Sequence, residues 1–365
     1  MNKQTTNNSQ RQGEQVLAKK ARVIVLGLDV HADSISVARM VDGTGPQPVQ
    51  KMTPEQFIRW IPRQLEQAEV VHTCYEAGPF GYGLDRKLRS LGVQNLVIRP
   101  KKWDEYGDGV QTDKTDARTL ATKLSEYVNG NRLVLVVVRV PTEDEERRRL
   151  KVRQREQLKD ERKRMEAQGR SLMLSHGYRI RGQWWKDRPW AKLKRDLPDY
   201  LVEALGHWRG LILAIDEERK ELEEVCVADA SETRAKGMGA YTEVAMDAEI
   251  CNWNRFKNRR QVASYFGLCG RVSSSGKRRM DGSLTKHGNK RLRTWMIELA
   301  WRMVRYQSQY PPIQRWADIL VNGKGPAGKR KKAICAVARR LAIDIWRART
   351  GQGDLAELGL NLKVA

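Results

Sequence analysis

The sequence is short of acids, of paired cysteines and of long apolar runs. Its five cysteines (74, 226, 251, 269 and 335) are scattered and form no CxxC pair. That argues against a zinc site and against a disulfide framework, and it fits a reducing cytosol. The longest purely aliphatic run, LVLVVV at 133–138, is far too short to span a bilayer, so no membrane partner is expected. The opening MNKQTTNNSQRQGEQ is polar and lacks the apolar core of a signal peptide. Residues 1–21 therefore read as a flexible tail. Acids are outnumbered, 44 Asp and Glu against 68 Lys and Arg, for a formal net charge of +24.

What is present points to a folded protein. Aliphatic residues and 11 tryptophans are plentiful over 365 residues, enough for two or three domains with real cores. The charge is unevenly placed. Residues 236–350 hold 25 basic and 7 acidic residues, a surplus of 18 that is three quarters of the net charge in under a third of the chain. Such a segment reads as a polyanion-binding surface, most simply for nucleic acid. Its aromatics (Trp253, Phe256, Tyr265, Phe266, Trp295 and Trp301) mark it as folded, and most of them read as core.

Patterning divides the rest. ARVIVLGLDV (21–30) and SISVARMV (34–41) read as strands joined by a short turn, with DGTG (42–45) closing the second. Thr53-Pro54-Glu55-Gln56 is a capping box with proline at the first helical position, opening a helix to about Gln67. VVHTCYEAG (70–78) is a strand ending in an acid. A helix over about Phe80–Leu91, a strand over NLVIRP (95–100), a helix over Asp113–Val128 and a buried strand over LVLVVVRV (133–140) complete a mixed-sheet α/β domain, residues 22–141. Thr142 and Glu145 form a second capping box. It opens a long polar helix with a thin apolar seam at Leu150, Leu158, Met165 and Leu172, as in a helical hairpin or coiled coil. A second helix over about Asp199–Val225 completes an arm, residues 142–235. Residues 236–350 read as a compact, mostly helical basic domain holding the loop VSSSGKRRMDGSLTKHGNKRLR (272–293), and residues 351–365 as a tail.

TDKTDA (112–117) sets two aspartates three apart at a helix start. Capping by Thr112 and the helix dipole account for Asp113 but less well for Asp116. Asp29 ends the first strand and Glu76 a later one, and sites in open α/β sheets gather at strand ends and helix starts. Four carboxylates drawn together repel unless cations neutralise them. Hard oxygen ligands suit Mg²⁺ or Mn²⁺, two of which can clamp the attacking and leaving oxygens of a phosphodiester. The pattern favours a metal site on Asp29, Glu76, Asp113 and Asp116.

GLDVH (27–31), YEAGPFGYGL (75–84), TDKTDA (112–117) and GLCGRVSSSGKRRMDGSLTKHGNKRLR (267–293), in that order, resemble the DEDD transposases of bacterial insertion sequences. These are the RNA-guided bridge recombinases, related to the Piv DNA invertases. The resemblance implies a RuvC-like (RNase H-like) domain, a coiled-coil arm and a C-terminal transposase domain. It places the DEDD set on Asp29, Glu76, Asp113 and Asp116, and the nucleophilic serine, which precedes a glycine, on Ser275. It further implies a covalent phosphoserine link to donor and target DNA, a noncoding guide RNA, a dimer or tetramer, and work in the bacterial cytoplasm, at the nucleoid when on DNA. A serine hydroxyl needs help from a base or a metal to attack. Lys277, Arg278 and Arg279 follow it and suit phosphate contacts, and Lys286, Lys290, Arg291 and Arg293 extend the basic run. KGMG (236–239) is similar to the family's Gly-x-Gly turn before a helix. Cys269-Gly270 and Cys251-Asn252 depart from the family's usual residues. Without the resemblance, Ser273 and Ser274 rival Ser275, and SSSG reads as a flexible loop. The competing functions are a metal-dependent structure-specific nuclease that uses water as nucleophile and a nucleic-acid-binding protein without catalysis.

Overall fold

The computed structural model describes residues 20–100, 113–228, 230–275 and 278–364. The chain divides into two compact units between Val140 and Pro141. The first is built on β1 (Ala21–Val30), β2 (Ile35–Val41), β3 (Gln50–Met52), α1 (Pro54–Gln67), β4 (Ala68–Glu76), α2 (Gly83–Ser90), β5 (Gln94–Ile98) and α3 (Asp113–Val128). Its sheet runs β3-β2-β1-β4-β5. β1 pairs antiparallel with β2 and parallel with β4, and β4 pairs parallel with β5. β1 is apolar at every central position because it is covered on both faces. Ile24, Leu26 and Leu28 pack with Phe57 and Ile61 of α1 and Leu88 of α2. Val25 packs with Ala117, Leu120, Ala121 and Leu124 of α3 on the other face.

The α1 capping box forms as its sequence predicts: Gln56 N–H donates to Thr53 Oγ1 at 3.2 Å, and Thr53 N–H to Gln56 Oε1 at 2.9 Å. Three expectations change. The short edge strand β3 carries no strand pattern in the sequence. α2 starts at Gly83 rather than Phe80. The stretch 133–140 is not a buried strand. It lies along β5 through Arg99 N–H to Val136 O at 2.9 Å and Val138 N–H to Val97 O at 2.8 Å. There Leu133 is 94% exposed and Val136 is exposed as well, while Leu135 is buried. An aliphatic run is ambiguous because burial depends on what covers it, and here Leu135 alone is fully buried.

The second unit begins with α4 (Glu143–Ser175), α5 (Asp187–Asp196) and α6 (Asp199–Val227). The α4 capping box also forms, with Glu145 N–H on Thr142 Oγ1 at 3.2 Å. α4 and α6 pair antiparallel, since Arg155 meets Glu223 and Arg162 meets Asp216. The predicted apolar seam forms in part: Met165 and Leu172 are half-buried and pack with Met173 of α4 and Leu201, Leu205 and Ile212 of α6. Leu150 is exposed, and the buried positions are Val152, Glu156, Glu166, Gly169 and Met173. Ion pairs share the interior with these side chains: Glu156 with Arg155 and Lys159, and Asp216 with Arg162 and Arg219. The arm's tip is a tryptophan cluster of Trp184, Trp185 and Trp190. Gly169 makes room for it, as a Cβ there would lie 2.3 Å from the Trp184 ring.

β6 (Thr233–Ala235), α7 (Ala240–Ile250), α8 (Arg259–Tyr265), β7 (Gly270–Ser275), β8 (Arg278–Leu284), α9 (Lys290–Tyr306), the single turns α10 (Pro311–Gln314) and α11 (Ala317–Leu320), α12 (Ala327–Arg349) and β9 (Leu362–Val364) follow. Trp253, Phe256, Phe266 and Trp295 are core residues here, whereas Trp301 is 36% exposed. The C-terminal residues read as a tail are ordered: Leu360 is buried and β9 pairs antiparallel with β6.

Cys251 ends α7 at φ 65°, ψ −57°, a conformation that clashes with any Cβ. Cys251→Gly keeps the N–H to Asp247 O bond of 2.8 Å and relieves the strain. It is expected to stabilise the protein by about 1 kcal/mol, read as a higher urea midpoint at constant slope.

Candidate active site

In the first unit, Asp29 and Glu76 stand at the C-terminal ends of neighbouring parallel strands, one step beyond the paired residues Leu28 and Tyr75. Alternation puts Asp29 on the β1 face of Val25 and Gly27, and Glu76 on the β4 face of Cys74. That is the face α3 covers. The helix runs antiparallel to these strands, and three contacts establish it. Tyr127 and Val128, at its C-terminal end, share a cavity with His72 of mid-β4 and Gln94 at the start of β5. Cys74 Sγ lies 3.6 Å from Leu120 O midway. Gly27 abuts Ala117 and Ala121. The first turn of α3, with Asp113 and Asp116, therefore opens toward the edge where Asp29 and Glu76 end. Thr112 lies outside the described residues, as does the side chain of Asp113. Among the described residues, no three Asp, Glu, His or Cys side chains stand close enough together to hold a metal ion.

Two residues that sequence reasoning missed shape this edge. The His31 Nε2 atom lies 3.1 Å from Asp29 Oδ2 and orients a carboxylate that is 21% exposed. The signal was the x-H step after GLD. Gly27 is the second. A Cβ there would sit 2.2 Å from Ala121 N and 2.3 Å from Ala117 O, so only glycine lets the α3 backbone rest on β1. Gly27→Ala must push α3 outward. The expected cost is about 1–3 kcal/mol of stability. Chemical denaturation of wild type and variant checks it. Cys74, next to these acids, is inert: burial, and then the Glu76 charge, push its thiol well above the ordinary value.

In the second unit, the basic loop expected over 272–293 is largely a hairpin. β7 pairs antiparallel with β8, with Ser273 opposite Met280, Ser274 opposite Arg279 and Ser275 opposite Arg278. Ser275 is thus the last residue of β7. Gly276 and Lys277 lie outside the described residues, as do the side chains of the three serines, Arg278 and Arg279. The base of the hairpin is tied by Thr285 N–H to Cys269 O at 2.9 Å and Asn289 N–H to Tyr265 O at 2.8 Å. Gly288, at φ 142°, passes so close to Ser264, Tyr265 and Gly267 that a Cβ would fall within 2.7 Å of each. Asn289 caps α9 by accepting from Arg291 and Leu292 N–H. Its Nδ2 donates at 2.9 Å to Glu249, which also receives Arg153 of α4 at 2.8 Å. Arg153 and Asn289 hold the Glu249 carboxyl below its usual range despite its burial.

Of the predicted nucleic-acid contacts, Lys286, Lys290 and Arg291 are exposed. Arg293 instead donates to Lys286 O at 3.0 Å, bracing the turn in which Lys286 adopts φ 55°. KGMG forms a turn before α7, with Gly237 at φ 95° beside Tyr306 and Gly239 as N-cap.

Comparison with known proteins decides the family. A family model described as transposase IS116/IS110/IS902 matches residues 233–313. The y4rJ protein of Sinorhizobium fredii is 30% identical over 301 residues, covering 74% of this chain and 75% of that protein. The chain belongs to the IS116/IS110/IS902 transposase family. Transposases for the insertion elements IS1533 of Leptospira borgpetersenii and IS1111A of Coxiella burnetii are 23% and 22% identical. The first alignment covers 77% of this chain and 85% of the relative, the second 90% of each. The protein is accordingly a DNA transposase of an insertion sequence, and DNA is its partner. The family-model match begins at β6 and contains the whole serine hairpin and α9, so it covers the basic unit's core and not the acidic sheet. Among the described residues, no helix of this transposase is long and apolar enough to cross a membrane.

Proposed function

We propose that this transposase cuts and rejoins DNA strands with an acidic metal site in its first unit and a hairpin serine in its second. Asp29, Glu76, Asp113 and Asp116 would hold Mg²⁺ or Mn²⁺, and an oxygen-only donor set fits such hard cations. When bound, the cation stabilises negative charge on the oxygens of the scissile phosphodiester. His31 orients Asp29, as hydrogen-bonded partners commonly orient ligating carboxylates. Ser275 would attack phosphorus through Oγ. The serine loses its proton, the P–O bond to the departing strand breaks, and the leaving oxygen takes up a proton. Lys277, Arg278 and Arg279 would hold the phosphate. The observation that carries the reading is the antiparallel run of α3 against β1 and β4, which opens its DxxD turn toward the edge ending in Asp29 and Glu76. A mixed sheet of order β3-β2-β1-β4-β5 supports an RNase H-like (RuvC-like) assignment, and the α4–α6 pair supports a coiled-coil-type arm. We infer further that a noncoding RNA guides target choice, that the working form is a dimer or tetramer, and that it acts in the bacterial cytoplasm.

The test is direct. Protein, Mg²⁺ and labelled donor DNA are incubated and run on a denaturing gel, with RNA that copurifies with the protein retained. A band of DNA covalently attached to protein is expected. Free nicked product without an adduct would replace the serine by water, as in a Holliday-junction-type nuclease. Neither product would reduce the acids to caps and turn residues.

A further inference from the structure

Four consecutive cations open α12: Lys329, Arg330, Lys331 and Lys332, all exposed. Among the described residues, none of them pairs with a carboxylate. Helix starts ordinarily carry an acid and a capping side chain, because the first N–H groups are unsatisfied and that end of the dipole is positive. α12 has neither: its N-cap is Pro326, no side chain caps it, and its first turn holds no acid. At about 100° per residue, four successive side chains surround the helix rather than line one stripe. They are therefore not the polar face of an amphipathic helix. The Arg330 guanidinium lies over the exposed Trp301 ring of α9, 5.1 Å from its centroid. α9 adds exposed Arg302 and Arg305 and has a single acid, Glu298. The cluster at the start of α12 lies beyond residues 233–313, the span of the family match.

We propose that the start of α12, with the Trp301 edge of α9, is a second DNA-binding surface that grips the phosphates of duplex DNA outside the serine hairpin. Phosphates are the fitting ligand because long exposed cations offer charge and N–H donors to phosphate oxygens, the commonest protein–DNA contact. Arg330 already occupies one face of the Trp301 ring. Duplex DNA is the polyanion that family membership supplies, so the proposal does not depend on the metal or serine chemistry. The arrangement accepts unfavourable charge at a helix start in exchange for affinity.

The triple variant Lys329→Gln, Lys331→Gln, Lys332→Gln in the full chain separates the outcomes, with Arg330 left on Trp301. Affinity for a duplex of unrelated sequence is measured across a salt series by fluorescence anisotropy, alongside Tm. The slope of log K against log salt is expected to flatten by about 2–3, at roughly 0.9 per lost phosphate contact. Tm should hold or rise, because charges repelled by the helix dipole are gone. An unchanged slope with unchanged or raised Tm would make the cluster a solvated end and overturn the proposal. So would a slope that flattens for RNA of equal length but not for duplex DNA. If the variant does not fold, amide exchange in the wild-type protein decides: slower exchange in the first two turns of α12 on adding duplex supports the surface, and no change overturns it.

Discussion

Asp113→Asn and Asp116→Asn, made separately, are each expected to abolish strand cleavage while leaving DNA affinity intact. Asn keeps the size and polarity of Asp but removes the charge a hard divalent cation needs. Loss of metal-borne charge stabilisation is worth several kcal/mol, on the order of 10³-fold in rate. Both residues belong to the first turn of α3, which the packing of Gly27 on Ala117 and Ala121 sets against β1. The measurement is a cleavage time course in Mg²⁺ beside a binding isotherm. Wild-type cutting by either variant would remove that residue from the site. Binding that falls in step with cleavage would point to a folding role for the first turn of α3.

Ser275→Ala is expected to eliminate both the covalent adduct and recombination, with a loss of order 10⁵-fold or more, as when other serine nucleophiles are removed. Ser275 closes β7 opposite Arg278, and its fold should survive because the β7–β8 register is set by backbone pairing and by the ties at Cys269 and Asn289. Ser275→Cys is the sharper variant, since a thiol retains a nucleophile with different geometry and metal preference. Peptide mass spectrometry on the wild-type adduct then chooses among Ser273, Ser274 and Ser275. A remnant on either neighbour moves the nucleophile by one or two positions along the strand. Full cleavage by the alanine variant with no adduct anywhere would leave water as the attacking group.

The legible parts of the fold were those governed by local chemistry. Both capping boxes formed because a Thr and a Glu or Gln three residues later satisfy each other's backbone wherever the chain lies. α3 matched its predicted span, since Ala117, Leu120, Ala121 and Leu124 recur at helical spacing. The misread parts depended on neighbours distant in sequence. LVLVVVRV looked buried because it is aliphatic, but β5 and the helices cover only some of it. The α4–α6 seam is apolar only in part: Met165 and Leu172 pack into it, but Glu156, Arg162, Asp216 and Arg219 share the interior, tolerable there only because each finds an opposite charge.

The amino-acid sequence by itself determined that this is a basic, folded chain without paired cysteines, with acids at two strand ends and one helix start and a serine-glycine step in a cationic segment. Those features are composition, spacing and local propensity, and they need no partner across the fold. Only the tertiary structure decided that Asp29 and Glu76 end adjacent parallel strands, that α3 runs antiparallel to them with Gly27 as its seat, and that the serine segment is a hairpin braced by Gly288, Asn289, Glu249 and Arg153. Strand order, helix direction and close backbone approach arise from which surfaces bury one another, and one-dimensional spacing carries no record of that.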